Sequence, residues 1–192
     1  MPRVILASSS AYKIEQLKLL QIDFESISPE IDESALNNEN PEDYVCRLAQ
    51  QKAAAVAATA ADAIVIGADQ CSVCRGAILG KPMTQDNAIA QLTAASGQCV
   101  SLYTAVAVYD PDTGNIRVAQ VPTHVQFRRL ESEAIRRYVL ADQPLDCAGA
   151  FRAEGLGISL FERIDSDDPS ALIGLPLIAL NRLLAQVGVS RP

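Results

Sequence analysis

Three of this chain's four lysines stand where solubilising charge is seldom placed. Lys13 falls in the first turn of a predicted helix, Lys52 in the middle of an apolar helical stripe, and Lys81 in the turn Gly80-Lys81-Pro82. A carboxylate occupies an equally unusual position. The run Ala63-Ile64-Val65-Ile66-Gly67-Ala68 is apolar throughout, reads as a strand covered on both faces, and leads directly into Asp69-Gln70. In open α/β sheets, ligands bind in the crevice beyond the strand ends. Taken alone, Asp69 reads equally well as a surface acid closing a strand. Taken with the three lysines it points to a polyphosphate, whose charge is held by cations and backbone N–H groups while a carboxylate orients a metal or activates water.

The elements that must position these groups alternate between strand and helix. Val4 to Ala7 reads as a short buried strand, Ser8-Ser9-Ser10 as a turn with N-cap candidates, and Ala11 to Leu20 as a helix. The serine hydroxyls and N–H groups at that helix start are favourable ground for phosphate. The helix dipole disfavours Lys13 there unless an anion is bound nearby. A second helix opens at Asn40-Pro41-Glu42-Asp43, and Val45, Leu48, Ala49, Ala53 and Val56 share one face of it. Lys52 lies within that face, so its ammonium either snorkels to the edge or meets a buried anion. Further on come a hairpin turning at Arg75-Gly76, a helix from about Thr84 to Ala95, and strands Val100 to Tyr109 and Ile116 to Phe127. A helix over Ser132 to Leu140, a strand over Ile158 to Ile164 and a last helix after Gly174-Leu175-Pro176 complete the pattern. Between Asp146 and Gly157 the chain is punctuated by glycine, which predicts a loop whose backbone approaches a ligand closely.

Composition excludes several classes. With 192 residues, 49% of them hydrophobic, the chain is a globular protein with room for one sizeable core, or for two lobes sharing a sheet. A net charge of −7 argues against coating nucleic acid, although a few converging cations still suffice for a small anion. The apolar start is too short for a signal peptide and no segment is long enough to span a membrane, so a cytoplasmic location is expected. Five cysteines with no export signal are expected to be reduced thiols. Cys71 and Cys74 have no second pair to complete a zinc site, and point to opposite faces if the strand continues past Asp69. His124, the sole histidine, reads as an exposed strand residue. There is no P-loop motif and no Gly-x-Ser-x-Gly elbow.

Several motifs in order carry a resemblance. Leu6-Ala7-Ser8-Ser9-Ser10 with Lys13, Ile31-Asp32-Glu33, Arg47-Leu48-Ala49 with Lys52, Ile66-Gly67-Ala68-Asp69 and Leu79-Gly80-Lys81-Pro82 form its first half. Ser96-Gly97, Tyr103-Thr104, Pro144-Leu145-Asp146 with Ala148-Gly149, Glu154-Gly155 and Ile173-Gly174-Leu175-Pro176 continue it nearly to the end. The chain resembles the Maf family of nucleoside triphosphate pyrophosphatases. That resemblance implies one α/β domain over residues 1–192: a mixed central sheet with flanking helices, and two lobes around a cleft, similar to the inosine-triphosphate pyrophosphatases. It implies hydrolysis between the α and β phosphates with a divalent metal, Mg2+ or Mn2+, and allows a homodimer. Asp69 matches the family's proton acceptor. Ser8, Lys13, Lys52 and Lys81 match phosphate-site positions, with Lys13 standing where many members carry arginine and so losing the bidentate fork. Glu33, with Asp69, matches the metal-holding acids.

Three positions bear on the base. The family branch that resembles pyrimidine triphosphatases has Arg, Thr and Gln where this chain has Tyr12, Gln70 and Glu154, and the chain is instead similar to the branch acting on 7-methyl-GTP. Guanine offers adjacent N1–H and N2–H donors that Glu154 can accept together, and a cationic N7-methyl purine suits stacking on Tyr12. The rival expectations are dTTP or UTP hydrolysis by the same machinery, and a nucleotide-binding regulator of cell division that does not hydrolyse.

Overall fold

The computed structural model describes residues 2–190, which form a mixed α/β fold. Seven strands, β1 (Val4–Ala7), β2 (Glu25–Ser26), β3 (Ile64–Cys74), β4 (Ala77–Leu79), β5 (Cys99–Tyr109), β6 (Ile116–Phe127) and β7 (Phe161–Ser166), make one sheet in the order β2-β1-β3-β5-β6-β7, with β4 also paired to β3. Pairing of β1 with β2 and β3 is parallel, whereas β3 with β4 and β6 with β7 are antiparallel. Five helices accompany it: α1 (Ala11–Lys18), α2 (Pro41–Ala57), α3 (Gln85–Ala95), α4 (Ser132–Asp142) and α5 (Leu177–Ala185). The chain divides into two compact units. The first comprises the residues up to Gln70, Tyr103–Val121 and those from Asp168 onward; the second comprises Cys71–Leu102 and Pro122–Asp167.

Local chemistry explains most boundaries. Asn40 caps α2 by accepting from the Asp43 N–H at 2.8 Å, with Pro41 in the first turn, and Thr84 caps α3 through the Asn87 N–H. The β3–β4 hairpin turns on Arg75 and Gly76, both at positive φ, as a two-residue turn matching strand twist requires. Two expectations are corrected. Strand β3 does not end before Asp69; it runs through Asp69 and Gln70 to Cys74, so the acid lies mid-strand. The apolar run alone could not show this, because β4 supplies the partner that extends the strand. The final strand starts at Phe161 rather than Ile158, because Leu156–Leu160 coils into a 3₁₀ turn, with the Ser159 hydroxyl bonded to the Leu156 carbonyl. A second such turn, Pro169–Ile173, and the short β2 carry too little periodicity to be read from sequence.

In the first unit, the alternation of β3 sends its residues to two different cores. Ile64, Ile66 and Ala68 join Val4, Leu6, Leu175 and Leu180 in one apolar cluster. Val65, Gly67 and Asp69 face the other way, where α2 packs. A Cβ on Gly67 would lie 2.1 Å from the Ala49 carbonyl oxygen and 2.7 Å from the Ala53 nitrogen, so only glycine permits this approach of helix to strand. The substitution Gly67→Ala is therefore expected to lower the unfolding free energy by about 3 kcal/mol or more, at the upper end of overpacking costs. Urea denaturation checks this, and wild-type stability would show that α2 is free to back away.

Candidate active site

The close contact at Gly67 sets the reach of a side chain one helical turn along. Lys52 shares the buried face of α2 with Leu48, Ala49 and Ala53, and its ammonium donates to Asp69 Oδ1 at 2.5 Å and lies 2.8 Å from Glu33 Oε1. Lys52 and Asp69 are only 7% and 6% exposed. The sequence left two fates open for Lys52, and it meets the buried anion. Burial alone would depress its pKa, but the paired Asp69 and Glu33 carboxylates outweigh that and hold it above the ordinary lysine value. Lys52 is therefore charged at neutral pH despite its burial. Asp69 Oδ2 has no hydrogen-bond partner among the described residues.

On the opposite face of β3 sits a second cluster. The Gln70 amide donates to Thr104 Oγ1 at 2.9 Å and to the Ala171 and Leu172 carbonyls at 2.8 and 3.2 Å, tying it to β5 and to the 3₁₀ turn over Pro169–Ile173. The donor end of Gln70 is thus engaged by protein. Gly174, at φ +124°, lies beside both Gln70 and Lys13: a Cβ there would stand 3.8 Å from Gln70 Oε1 and 3.5 Å from Lys13 Cε. The Lys13 ammonium reaches the Ala68 carbonyl at 3.0 Å, which draws it from its own helix N-terminus to the residue preceding Asp69. Tyr12, one residue earlier in α1, is half-buried. The serine turn differs from expectation in one respect: Ser10 occupies the N-cap without a side-chain bond, and its N–H is taken by the buried Ser8 hydroxyl at 3.1 Å.

The remaining predicted residues belong to the second unit. Lys81 is exposed after β4, and Glu154 is exposed in the loop that follows Phe151. Phe151, Phe127 and Phe161 pack edge to face with centroids 5.1 to 5.4 Å apart, anchoring one end of that loop. Tyr138 Oη accepts from the Arg152 N–H at 3.1 Å, and Arg152 Nη2 lies 3.3 Å from Asp142 Oδ1. Two of the loop's glycines serve internal packing. A Cβ on Gly155 would press on the Asp142 carboxylate at 3.0 Å, and one on Gly157 would stand 2.3 Å from the Arg152 carbonyl oxygen. Glycine punctuation signals close approach without saying to what.

Cys71 and Cys74 are buried thiols on one continuous strand, hence on opposite faces, and His124 is exposed with Nδ1 3.0 Å from Ser101 Oγ. Among the described residues no group of three or more His, Cys, Asp or Glu side chains is placed to hold a metal ion, and no helix is long and apolar enough to cross a membrane. Sequence reasoning gave no functional weight to Thr104 and the Ala171–Leu172 carbonyls, which fix Gln70, nor to Tyr44 and Glu39. Of these, only Thr104 had a signal, in the Tyr103-Thr104 motif.

The first unit thus defines a mixed-sheet α/β protein with a buried lysine held between two carboxylates. The chain belongs to the Maf-like protein family, whose profile matches residues 3–187. It is 50% identical over 192 residues, the whole of both chains, to a protein of Pseudomonas aeruginosa named 7-methyl-GTP pyrophosphatase. It is 51% identical, again over the whole of both chains, to one of the same name from Xanthomonas campestris. A third of that name, from Aromatoleum aromaticum, is 48% identical over 99% of this chain and 98% of its own. Among solved structures, the Ham1 protein of Staphylococcus aureus aligns over 66% of this chain and 72% of its own, with a TM-score of 0.48 and 17% identity.

Removing the cation from this cluster tests its energetics. Lys52→Met strands the buried Asp69 carboxylate and is expected to cost about 3–5 kcal/mol of stability, while Lys52→Met with Asp69→Leu recovers most of it. Equilibrium denaturation of the three proteins is the check, and a Lys52→Met protein as stable as wild type would contradict the pairing.

Proposed function

We propose that this protein hydrolyses 7-methyl-GTP to 7-methyl-GMP and pyrophosphate. The observation that carries the reading is the Glu33–Lys52–Asp69 cluster, in a chain half identical over its full length to proteins named for that activity. Asp69 Oδ2 takes a proton from water, whose oxygen bonds to the α-phosphorus as the α–β bridging oxygen departs with pyrophosphate. Lys52 holds Oδ1 and thereby orients the free oxygen, a positioning role enforced by its burial. Ser8, Lys13, Lys52 and Lys81 supply hydroxyl and cationic contacts for the triphosphate, Lys13 as a point charge.

Glu33 and Asp69 form an all-oxygen donor pair suited to Mg2+ or Mn2+, which commonly binds one or two carboxylates and completes its shell with water and substrate phosphates. When bound there, such an ion would supply positive charge against that developing on the phosphate oxygens. For the base, Glu154 accepts the N1–H and N2–H of guanine, and uracil or thymine would set two carbonyl oxygens against the same carboxylate. Tyr12 stacks on the cationic methylated purine, worth up to about 2 kcal/mol when desolvated. Gln70 offers its Oε1 to the nucleotide, its amide nitrogen being engaged elsewhere.

A pyrophosphate-release assay over methylated and ordinary nucleotides, with Mg2+ or Mn2+, tests the reading. The expected result is preference for 7-methyl-GTP, with Asp69→Asn retaining nucleotide binding while losing about a hundredfold or more in turnover, as for loss of a general base. Tyr12→Ala and Glu154→Gln are expected to erode the preference for the methylated purine. Release from dTTP or UTP ahead of 7-methyl-GTP would reassign the base, and nucleotide bound but recovered uncleaved would point to a binding protein.

A further inference from the structure

Glu33 lies in the segment between β2 and α2, is exposed, and belongs to no helix or strand, yet its carboxylate meets Lys52 at 2.8 Å. Something must hold that segment against α2. Arg47 does so with most of its guanidinium. Its Nε and Nη2 donate to Glu39 Oε1 and Oε2 at 2.6 and 2.7 Å, a bidentate fork, and Nη2 also donates to the Ser34 carbonyl at 3.0 Å. Nη1 reaches Gln51 Oε1 at 3.1 Å, and the guanidinium lies 5.6 Å from the centroid of the Tyr44 ring, three residues away on the same helical face. The Tyr44 hydroxyl donates to the backbone carbonyl of Glu33 itself at 3.0 Å. Asp32 closes the turn by accepting the Ser34 N–H at 2.9 Å.

We infer that Arg47 is a positioning residue for Glu33, clamping residues 34–39 to α2 so that the Glu33 carboxylate is presented at Lys52 and Asp69. The side chains of Arg47 and Glu39 are 19% and 8% exposed, so the fork is shielded from solvent as ordinary surface pairs are not. Arg47 holds the Glu39 carboxyl down to about 2, so the pair stays ionised at any pH where the protein works. Lysine in place of Arg47 keeps the charge but cannot bond both carboxylate oxygens and the Ser34 carbonyl from one planar group. The guanidinium bonds of Arg47 go to Glu39, Ser34 and Gln51 rather than to Lys52 or Asp69, so whatever it contributes to the reaction passes through Glu33. The inference rests on the reading above, that the Glu33–Lys52–Asp69 cluster is where the chemistry occurs.

A double-mutant cycle separates this role from general scaffolding. Turnover of 7-methyl-GTP is measured for wild type, Arg47→Met, Arg47→Lys, Glu33→Gln and the Arg47→Met/Glu33→Gln pair, and hydrogen–deuterium exchange is followed over residues 32–39. Arg47→Met and Glu33→Gln are each expected to lower kcat by about tenfold or more, in the range found when a group orienting a ligating side chain is lost. The pair should be no slower than Glu33→Gln alone, Arg47→Lys should restore little, and exchange in Arg47→Met should quicken over 32–39 but not in β3. Losses that multiply in the pair would overturn the inference, as would wild-type turnover by Arg47→Met. If the wild-type protein cleaves no nucleotide, it is the reaction reading that fails; exchange then decides the clamp, and unchanged protection over 32–39 in Arg47→Met removes it.

Discussion

A lysine ammonium buried with its counter-charge is the constraint on which the first unit is organised. Taking Lys52 and Asp69 out of water costs several kcal/mol for each ion, and the interior tolerates them only as a pair at close range. That range is set by backbone packing. Gly67 lets α2 approach β3 until the Ala49 carbonyl stands where a Cβ would be, and at that separation the next turn of α2 brings Lys52 within 2.5 Å of Asp69. The second carboxylate, from Glu33, leaves the cluster with excess negative charge.

Because side chains alternate along a strand, Asp69 and Gln70 serve opposite faces although they are adjacent in sequence. One face carries Lys52 and Glu33; the other carries Thr104, the turn over Pro169–Ile173, and Gly174 beside Lys13. The physical consequence is separability. Replacing Gln70 changes a hydrogen-bond network with β5 and the 3₁₀ turn without entering the lysine–carboxylate cluster.

In the second unit the same economy appears in a loop. Three phenylalanine rings fix its start, Tyr138 and Asp142 of α4 hold Arg152, and Gly155 and Gly157 allow the backbone to fold back on Arg152 closely enough to leave Glu154 exposed. An exposed carboxylate held in such a frame has less freedom to lose on meeting a partner than one on a mobile loop.

Much of this is legible in the residues themselves. Helix caps, the Arg75-Gly76 turn, the apolar stripe on α2 and the choice of Asp69 and Lys52 follow from local stereochemistry and from the cost of misplaced charge, both of which a linear chain displays. What the chain could not display were contacts between segments far apart in sequence. That β3 continues through Asp69 depends on β4; that Lys52 meets two acids depends on how closely α2 packs at Gly67; that Gln70 has its amide nitrogen engaged depends on carbonyls a hundred residues away. Residue types and spacing determine which groups carry charge and which surfaces seek burial. Only tertiary packing decides which charges end within bonding distance, because that distance is the sum of backbone approaches that no single segment contains.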